Sequence, residues 1–234
     1  IFGKNRLVVA DGVDQFMRTT KKQDWTRKLR RDLDFHKKTE TIGLRQKTNL
    51  VNFINEFAKE AGINWEITPN KSLAGGRILI SLKPYSKELH AELANGCKEA
   101  GNTNYDMLFL VPPQMVDNSD PKHSKFIHIQ DFSEQGIKVF DGTNQDTRAK
   151  YPVRTDECRL FQYDSCRGLE GWTAVCLNFD DLIDFKIRSF IDDIKDELLL
   201  ESFEEKRHRY VFLWALIPLT RAIDTLVITI RDPE

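Results

Sequence analysis

The chain has 234 residues, of which 40% are hydrophobic and 30% charged, with a net charge of −1. That is enough apolar material for one large domain with a proper core and too much for a disordered chain, while the near-neutral balance names no polyanionic or polycationic partner. No apolar run reaches the roughly 20 residues that span a bilayer, so no membrane partner is expected.

The four cysteines, Cys97, Cys158, Cys166 and Cys176, form no C-x-x-C pair and no zinc-spaced cluster. Unpaired thiols of this kind point to a reducing, cytoplasmic compartment. The charge is unevenly placed. Residues 18–47 hold eleven Lys or Arg against four Asp or Glu, and residues 180–205 hold three against ten. A solvated helix face accounts for the basic stretch, and a surface facing phosphates is its alternative.

In chain order, Leu7-Val8-Val9-Ala10 reads as a strand that ends in Asp11-Gly12. Residues 18–38 are basic and helical in part, and residues 39–44 form a candidate second strand. Leu50, Phe53, Ile54, Phe57 and Ala61 recur at helical spacing before Gly62, a stop signal. After Gly75-Gly76 come a strand at 77–81, a helix at 86–100 ended by Gly101, and a strand at 106–111 closed by Pro112-Pro113. Residues 117–125 read as loop, 126–133 as a short helix and 136–140 as a strand. The last third gives strands at 157–163 and 172–179, separated by a turn at Arg167-Gly168. Ile183, Ile187, Phe190, Ile194 and Leu198 then mark an amphipathic helix. A second helix covers about 203–221, and a β-branched strand at 225–230 closes the pattern.

Strands alternating with helices predict an α/β fold: a mostly parallel sheet with helices on both faces. Such sheets bind ligands at the carboxyl ends of their strands, so chemistry is expected in the turns that follow strands.

Four segments carry candidate chemistry. Asp11 and Gln15 stand where the first strand delivers them to a sheet end, and a glutamine amide there donates to a phosphate oxygen or orients a water. Gly43-Leu44-Arg45 precedes a helix, a place where arginine suits a phosphate. Ser165-Cys166-Arg167-Gly168-Leu169-Glu170-Gly171-Trp172 places two glycines between strands, where backbone can approach a ligand; an ordinary tight turn explains it equally well. Leu219-Thr220-Arg221-Ala222 joins an apolar helix to the closing strand. Its arginine suits a γ-phosphate reached across an interface, or else the carbonyls at its own helix end.

Taken together, the order and spacing of these segments resemble the later motifs of superfamily-one helicases of the UvrD/Rep type. Val9-Ala10-Asp11 with Gln15 resembles motif III. Arg45 followed by Leu50, Val51, Phe53 and Asn55 resembles motif IV. Arg167-Gly168-Leu169-Glu170-Gly171 resembles motif V, and Leu219-Thr220-Arg221-Ala222 with Asp224 and the strand after it resembles motif VI. The resemblance covers nearly the whole chain. It implies the second RecA-like motor domain (2A) of an ATP-driven DNA helicase or translocase, a P-loop NTPase fold without its own P-loop.

On that resemblance, residues 1–18 would be the tail of a preceding motor domain, 19–38 a basic linker and 39–234 the second domain. Gln15 would sense the γ-phosphate. Arg45 and Arg221 would contact it, with Arg221 as arginine finger. Gly168 and Glu170 would approach the nucleotide, Glu170 at the ribose. Arg18, Ser165, Cys166 and Arg167 would face the nucleic acid. ATP and Mg²⁺ would be cofactors of the full-length protein, held tightly only with the N-terminal RecA-like domain. Single-stranded or partly duplex nucleic acid, DNA rather than RNA, would be the other partner, and the fragment alone would be inactive.

The sequence also departs from the family. Ala10 replaces the glycine of motif III, Arg167 the lysine of motif V and Gly171 its phenylalanine, beside which stands Trp172. Pro218 lies inside the helix that carries Arg221. The stretch between motifs IV and V is too short for the large inserted subdomain of many such helicases. No G-x-x-x-x-G-K-[ST] occurs in the sequence.

Two other readings stand beside this one. A non-catalytic nucleic-acid or protein interaction domain on a degenerate RecA-like fold is compatible with the departures. A metal-dependent nuclease would use the acids crowded between Asp180 and Glu197, but these read better as the solvated face of an amphipathic helix. The five histidines share no ligand spacing, and Trp25 and Trp172 are candidates for base stacking or for the core.

Overall fold

The computed structural model describes residues 41–120, 123–150, 154–191 and 202–231. Gln15, Arg18, Trp25, the strand expected at 6–10 and the proposed divisions at 1–18 and 19–38 lie outside the described residues.

Among the described residues six strands form one sheet: β1 (Arg77–Ser81), β2 (Met107–Val111), β5 (Val139–Asp141), β6 (Cys158–Gln162), β7 (Gly171–Cys176) and β8 (Ala222–Thr229). Their order is β1-β8-β7-β2-β6-β5, and every neighbouring pair runs parallel. The short strands β3 (Val116–Asp117) and β4 (Lys125–Phe126) make a separate antiparallel pair.

Alternation along the strands divides the core in two. Leu108, Leu110, Ala174, Cys176, Leu226 and Ile228 point to one face. There they meet α1 (Thr48–Glu60), α5 (Phe179–Ser189) and α6 (Phe203–Leu219). Met107, Phe109, Val111, Leu160, Val175 and Val227 point to the other, against α2 (Lys87–Glu99) and α3 (Ile129–Glu134). A sheet covered on both faces needs apolar residues at every position, and β2 is buried from end to end. The α/β, mostly parallel architecture expected from the sequence is therefore what the chain adopts, and it is consistent with a RecA-like fold.

Several boundaries move for local reasons. Residues 39–44 were expected as a strand, but among the described residues only one isolated bridge, Ile42 to Thr68, forms there. Residues 126–133 divide into β4 and α3. Gly136, with φ +78°, ends α3 by a left-handed turn in which Ile137 N–H returns to the Phe132 carbonyl. β5 therefore starts three residues later. β7 stops at Cys176 because Asn178, at φ +45°, turns the chain into α5, which begins at Phe179. α5 ends at Ser189, where Phe190 turns extended and packs on Phe203 and Tyr210 at ring separations of 5.4 and 5.2 Å. Ile194 and Leu198 lie outside the described residues. α4 (Gln145–Ala149) is the remaining α-helix among the described residues.

All four thiols are buried. Burial pushes Cys158 and Cys166 up to about 12 and raises Cys97 and Cys176 as well. An unfolded thiol titrates near 8.5. Below that pH both states keep the proton, and the thiols do not make stability depend on pH. Above it the unfolded chain ionises first, so stability is lost as pH rises from about 8.5 towards 12. Iodoacetamide at pH 8 is expected to leave the native chain unmodified and to add four groups after urea unfolding. A native adduct on Cys166 would contradict its position in the core.

Candidate functional site

The turn from α6 into β8 and the return from β6 into β7 bring distant residues together. α6 is built as a firm support. Ser202 and Glu205 form a reciprocal capping box at its start. Val211, Trp214, Ala215, Leu216, Pro218 and Leu219 are buried at its end. Pro218 has no N–H to give to the preceding turn, yet the helix continues to Leu219. Its last carbonyls are then taken up locally: Thr220 N–H reaches Leu216 at 3.1 Å, and Arg221 N–H reaches Pro218 at 3.0 Å.

The Arg221 side chain folds back on this turn. Its Nε donates to the Ile217 carbonyl at 2.9 Å, Nη2 to the Thr220 hydroxyl at 2.8 Å and Nη1 to the Leu169 carbonyl at 3.3 Å. In this state the guanidinium caps its own helix end and ties the 166–170 loop to it. Burial lowers its pKa; Cys166 opposes that shift, Arg45 adds to it, Glu170 opposes it and Arg167 adds to it. An arginine remains protonated at physiological pH regardless.

Arg45 arrives from the other end of the chain. Three consecutive residues lie along the backbone that enters β8. Arg45 Nη2 donates to the Thr220 carbonyl at 2.9 Å, Gln46 Nε2 to Ala222 at 3.2 Å and Lys47 N–H to Ile223 at 2.9 Å. Gln46 is buried, which makes its amide part of the core rather than of the surface. Arg45 Nη1 meets Glu170 Oε2 at 2.5 Å, with side chains 38% and 51% exposed. Asn55, the asparagine expected to end motif IV, grips Ile67 through both ends of its amide.

The 166–170 loop owes its shape to Gly168, whose φ of +78° is easy only for glycine. Arg167 is exposed, with its guanidinium carbon 5.0 Å from the ring centre of Trp214. Lys186 is buried beside the same ring, its Nζ at 3.7 Å from the ring centre and 2.7 Å from Asp164 Oδ1. Ser165 is partly buried in the single turn Tyr163–Ser165.

Arg45, Glu170 and Arg221 thus converge with Arg167 beside them, as a basic edge holding one carboxylate. Two expectations are corrected. Cys166 was expected to face a nucleic acid, but it is fully buried against the first core. The site was expected at the carboxyl ends of strands, yet Glu170 immediately precedes β7 and Arg221 immediately precedes β8. In an all-parallel sheet both residues therefore lie at the amino ends. Sequence reasoning placed them correctly between elements and assigned them to the wrong edge.

Sequence reasoning also missed Arg159. It is 5% exposed, donates to the carbonyls of Tyr105 and Glu170, and stacks on the Tyr105 ring at 4.4 Å. A lone cation inside the apolar strand Cys158-Arg159-Leu160-Phe161 was the available signal, since arginine is rarely buried without partners.

At the opposite edge, Arg231 reaches Asp180 at 2.5 Å, Asp181 at 3.0 Å and Asp184 at 3.2 Å. Those acids are occupied with an arginine. Among the described residues no group of three or more His, Cys, Asp or Glu side chains is placed to hold a metal ion. Among the same residues no helix is long and apolar enough to cross a membrane.

No family model and no curated protein matches this chain. Among solved structures it is similar to the C-terminal domain of a possible DNA helicase from Lactobacillus plantarum WCFS1. The identity is 10%, the match covers 81% of this chain and 88% of that one, and the TM-score is 0.41.

Proposed function

We propose that this chain is the second motor domain of an ATP-driven nucleic-acid helicase or translocase, of the UvrD/Rep type that its motifs resemble. In this reading it supplies Arg45 and Arg221 to a triphosphate bound by a P-loop domain. One observation supports the reading above all. Residues assigned to three separate motifs, Arg45, Glu170 and Arg221, meet at one edge of the sheet: Arg45 bonds Glu170 and the Thr220 carbonyl beside Arg221, and Arg221 bonds the Leu169 carbonyl beside Glu170. Arg45, Arg167 and Arg221 there share the carboxylate of Glu170, which leaves a positively charged edge suited to an added polyanion.

The chemistry fits a polyphosphate. Arg45 and Arg221 offer forked donors, the Gly168 turn keeps the nearby surface free of side-chain bulk, and Arg221 is held by its helix rather than floating. ATP and Mg²⁺ are accordingly proposed as the cofactors of the whole motor. Single-stranded or partly duplex DNA is proposed as its track, with Arg167 and Ser165 on the side towards it. Arginines of this kind stabilise charge that develops on the transferring phosphoryl group.

The chain alone is expected to turn over no ATP. The parent motor is expected to hydrolyse ATP faster when single-stranded DNA is added, and to lose that turnover with Arg45→Ala or Arg221→Ala. Unchanged turnover in both variants would sink this reading, as would turnover by the 234-residue chain that survives both substitutions.

A further inference from the structure

The proposed function leaves unexplained why Glu170 closes on Arg45 instead of pointing away. A carboxylate and a phosphate share the same geometry towards a guanidinium: two oxygens that accept from a planar fork. At 2.5 Å from Arg45 Nη1, the Glu170 carboxylate occupies the place that a phosphate oxygen would take. It also holds Arg45 in a fixed direction, together with the Thr220 carbonyl on Nη2.

We infer that Glu170 is a displaceable internal counter-ion that sets the selectivity of this site. It occupies Arg45 until an anion of higher charge takes its place. The inference rests on the proposed phosphate role of Arg45 and Arg221, and it assigns Glu170 work beyond the ribose contact implied by the motif resemblance.

Displacement is feasible because the pair is partly exposed, and such pairs are weak. Its backbone, by contrast, is held. The Glu170 carbonyl accepts from Arg159, and the adjacent Leu169 carbonyl accepts from Arg221. The carboxylate can therefore swing from a fixed hinge without unravelling the loop. A singly charged anion would only exchange one charge for another on Arg45 while facing the expelled carboxylate. A polyphosphate can instead engage Arg45 and Arg221 together, with Arg167 nearby, and more than repay the lost pair. Glu170 would thus exclude weak, singly charged anions from a site that is otherwise strongly basic.

The test titrates inorganic tripolyphosphate and, separately, chloride and monobasic sulfonates into the 234-residue chain. The readout is calorimetry, with folding checked by thermal melting. Glu170→Gln keeps the shape and removes the charge. It is expected to tighten tripolyphosphate binding by roughly fivefold and to bring measurable binding of the single-charge probes. In an Arg45→Ala background the same change is expected to have no more than a twofold effect, because the carboxylate then has nothing to mask.

If Arg45→Ala weakens tripolyphosphate binding but Glu170→Gln leaves it unchanged or weaker, the counter-ion role is overturned and the phosphate site stands. If Glu170→Gln tightens binding equally with and without Arg45, a general charge effect replaces the proposed pairing. If Arg45→Ala alters binding of no probe, the phosphate site fails and the inference fails with it.

Discussion

Arg221→Ala is expected to lower ATP turnover of the parent motor by about 10³-fold or more, the range attributed to arginine fingers. The KM for ATP should change far less, because the group acts on charge that develops as the phosphoryl group transfers. Such an effect demands that the guanidinium be rigidly aimed before reaction. Three bonds to Ile217, Thr220 and Leu169 fix the guanidinium against its helix end in this state, leaving its remaining N–H groups for a phosphate, and partial burial strengthens the field it projects.

The same three bonds give Arg221 a share in stability, so the experiment needs a control. Net hydrogen bonds contribute about 1 kcal/mol each. Their loss should lower Tm by several degrees without unfolding the domain at assay temperature. Arg221→Lys keeps the charge but loses the fork, and it is expected to recover only a small part of the turnover. A turnover loss that merely follows the loss of folded protein across these variants would reduce Arg221 to a helix cap.

Gly171→Ala is expected to produce the largest stability loss of any single methyl addition near the site. A Cβ built at Gly171 falls 2.8 Å from the Asp106 carbonyl oxygen, 2.8 Å from that of Thr173 and 3.0 Å from Leu108 Cβ. Two of these neighbours are backbone, and the third is a Cβ carbon in a strand buried throughout, so none can swing aside. Overpacking of this sort costs about 2–3 kcal/mol, or roughly 5–10 °C in Tm for a domain of this size.

Gly168→Ala provides the contrast. No atom lies within 4 Å of a Cβ there, and only the φ of +78° opposes the change. Its cost should be near 1 kcal/mol. Denaturant unfolding of both variants checks the ranking. Gly171→Ala at wild-type stability would mean that β7 can move away from β2.

This crowding also explains one departure from the helicase pattern. The phenylalanine usual after the motif V glutamate has no room at position 171. Trp172, the next residue, packs against the second core instead and carries Lys47 near its ring at 5.9 Å.

The fold was legible where a run was long or clearly bounded. The helix around Leu50 and Ile54 declared itself by spacing, the strand from Met107 to Val111 by an apolar run closed by Pro112-Pro113, and the last strand by its β-branched residues. Short elements were not legible. Lys125–Phe126 is too brief to carry a period, and the turn at Asn178 needs a left-handed asparagine that no neighbouring glycine announces.

The candidate site was legible as a set of residues and illegible as a place. Arg45, Glu170 and Arg221 each stand beside a predicted element, but which sheet edge they share depends on the direction of every strand. The buried partners Gln46 and Arg159 were hidden because each binds backbone carbonyls, and a carbonyl leaves no mark in a sequence.

The bonds between α1 and α6 have a mechanical consequence. At one end Arg45, just before α1, holds Thr220, just after α6. At the other end His208, early in α6, binds the Ala61 carbonyl just past α1 at 2.7 Å. The helices are 13 and 17 residues long, struts of about 20 and 25 Å fastened to each other at both extremities. A frame braced in this way resists hinging between its members. Load applied beside Arg221 would therefore be shared by both helices rather than borne by α6 alone.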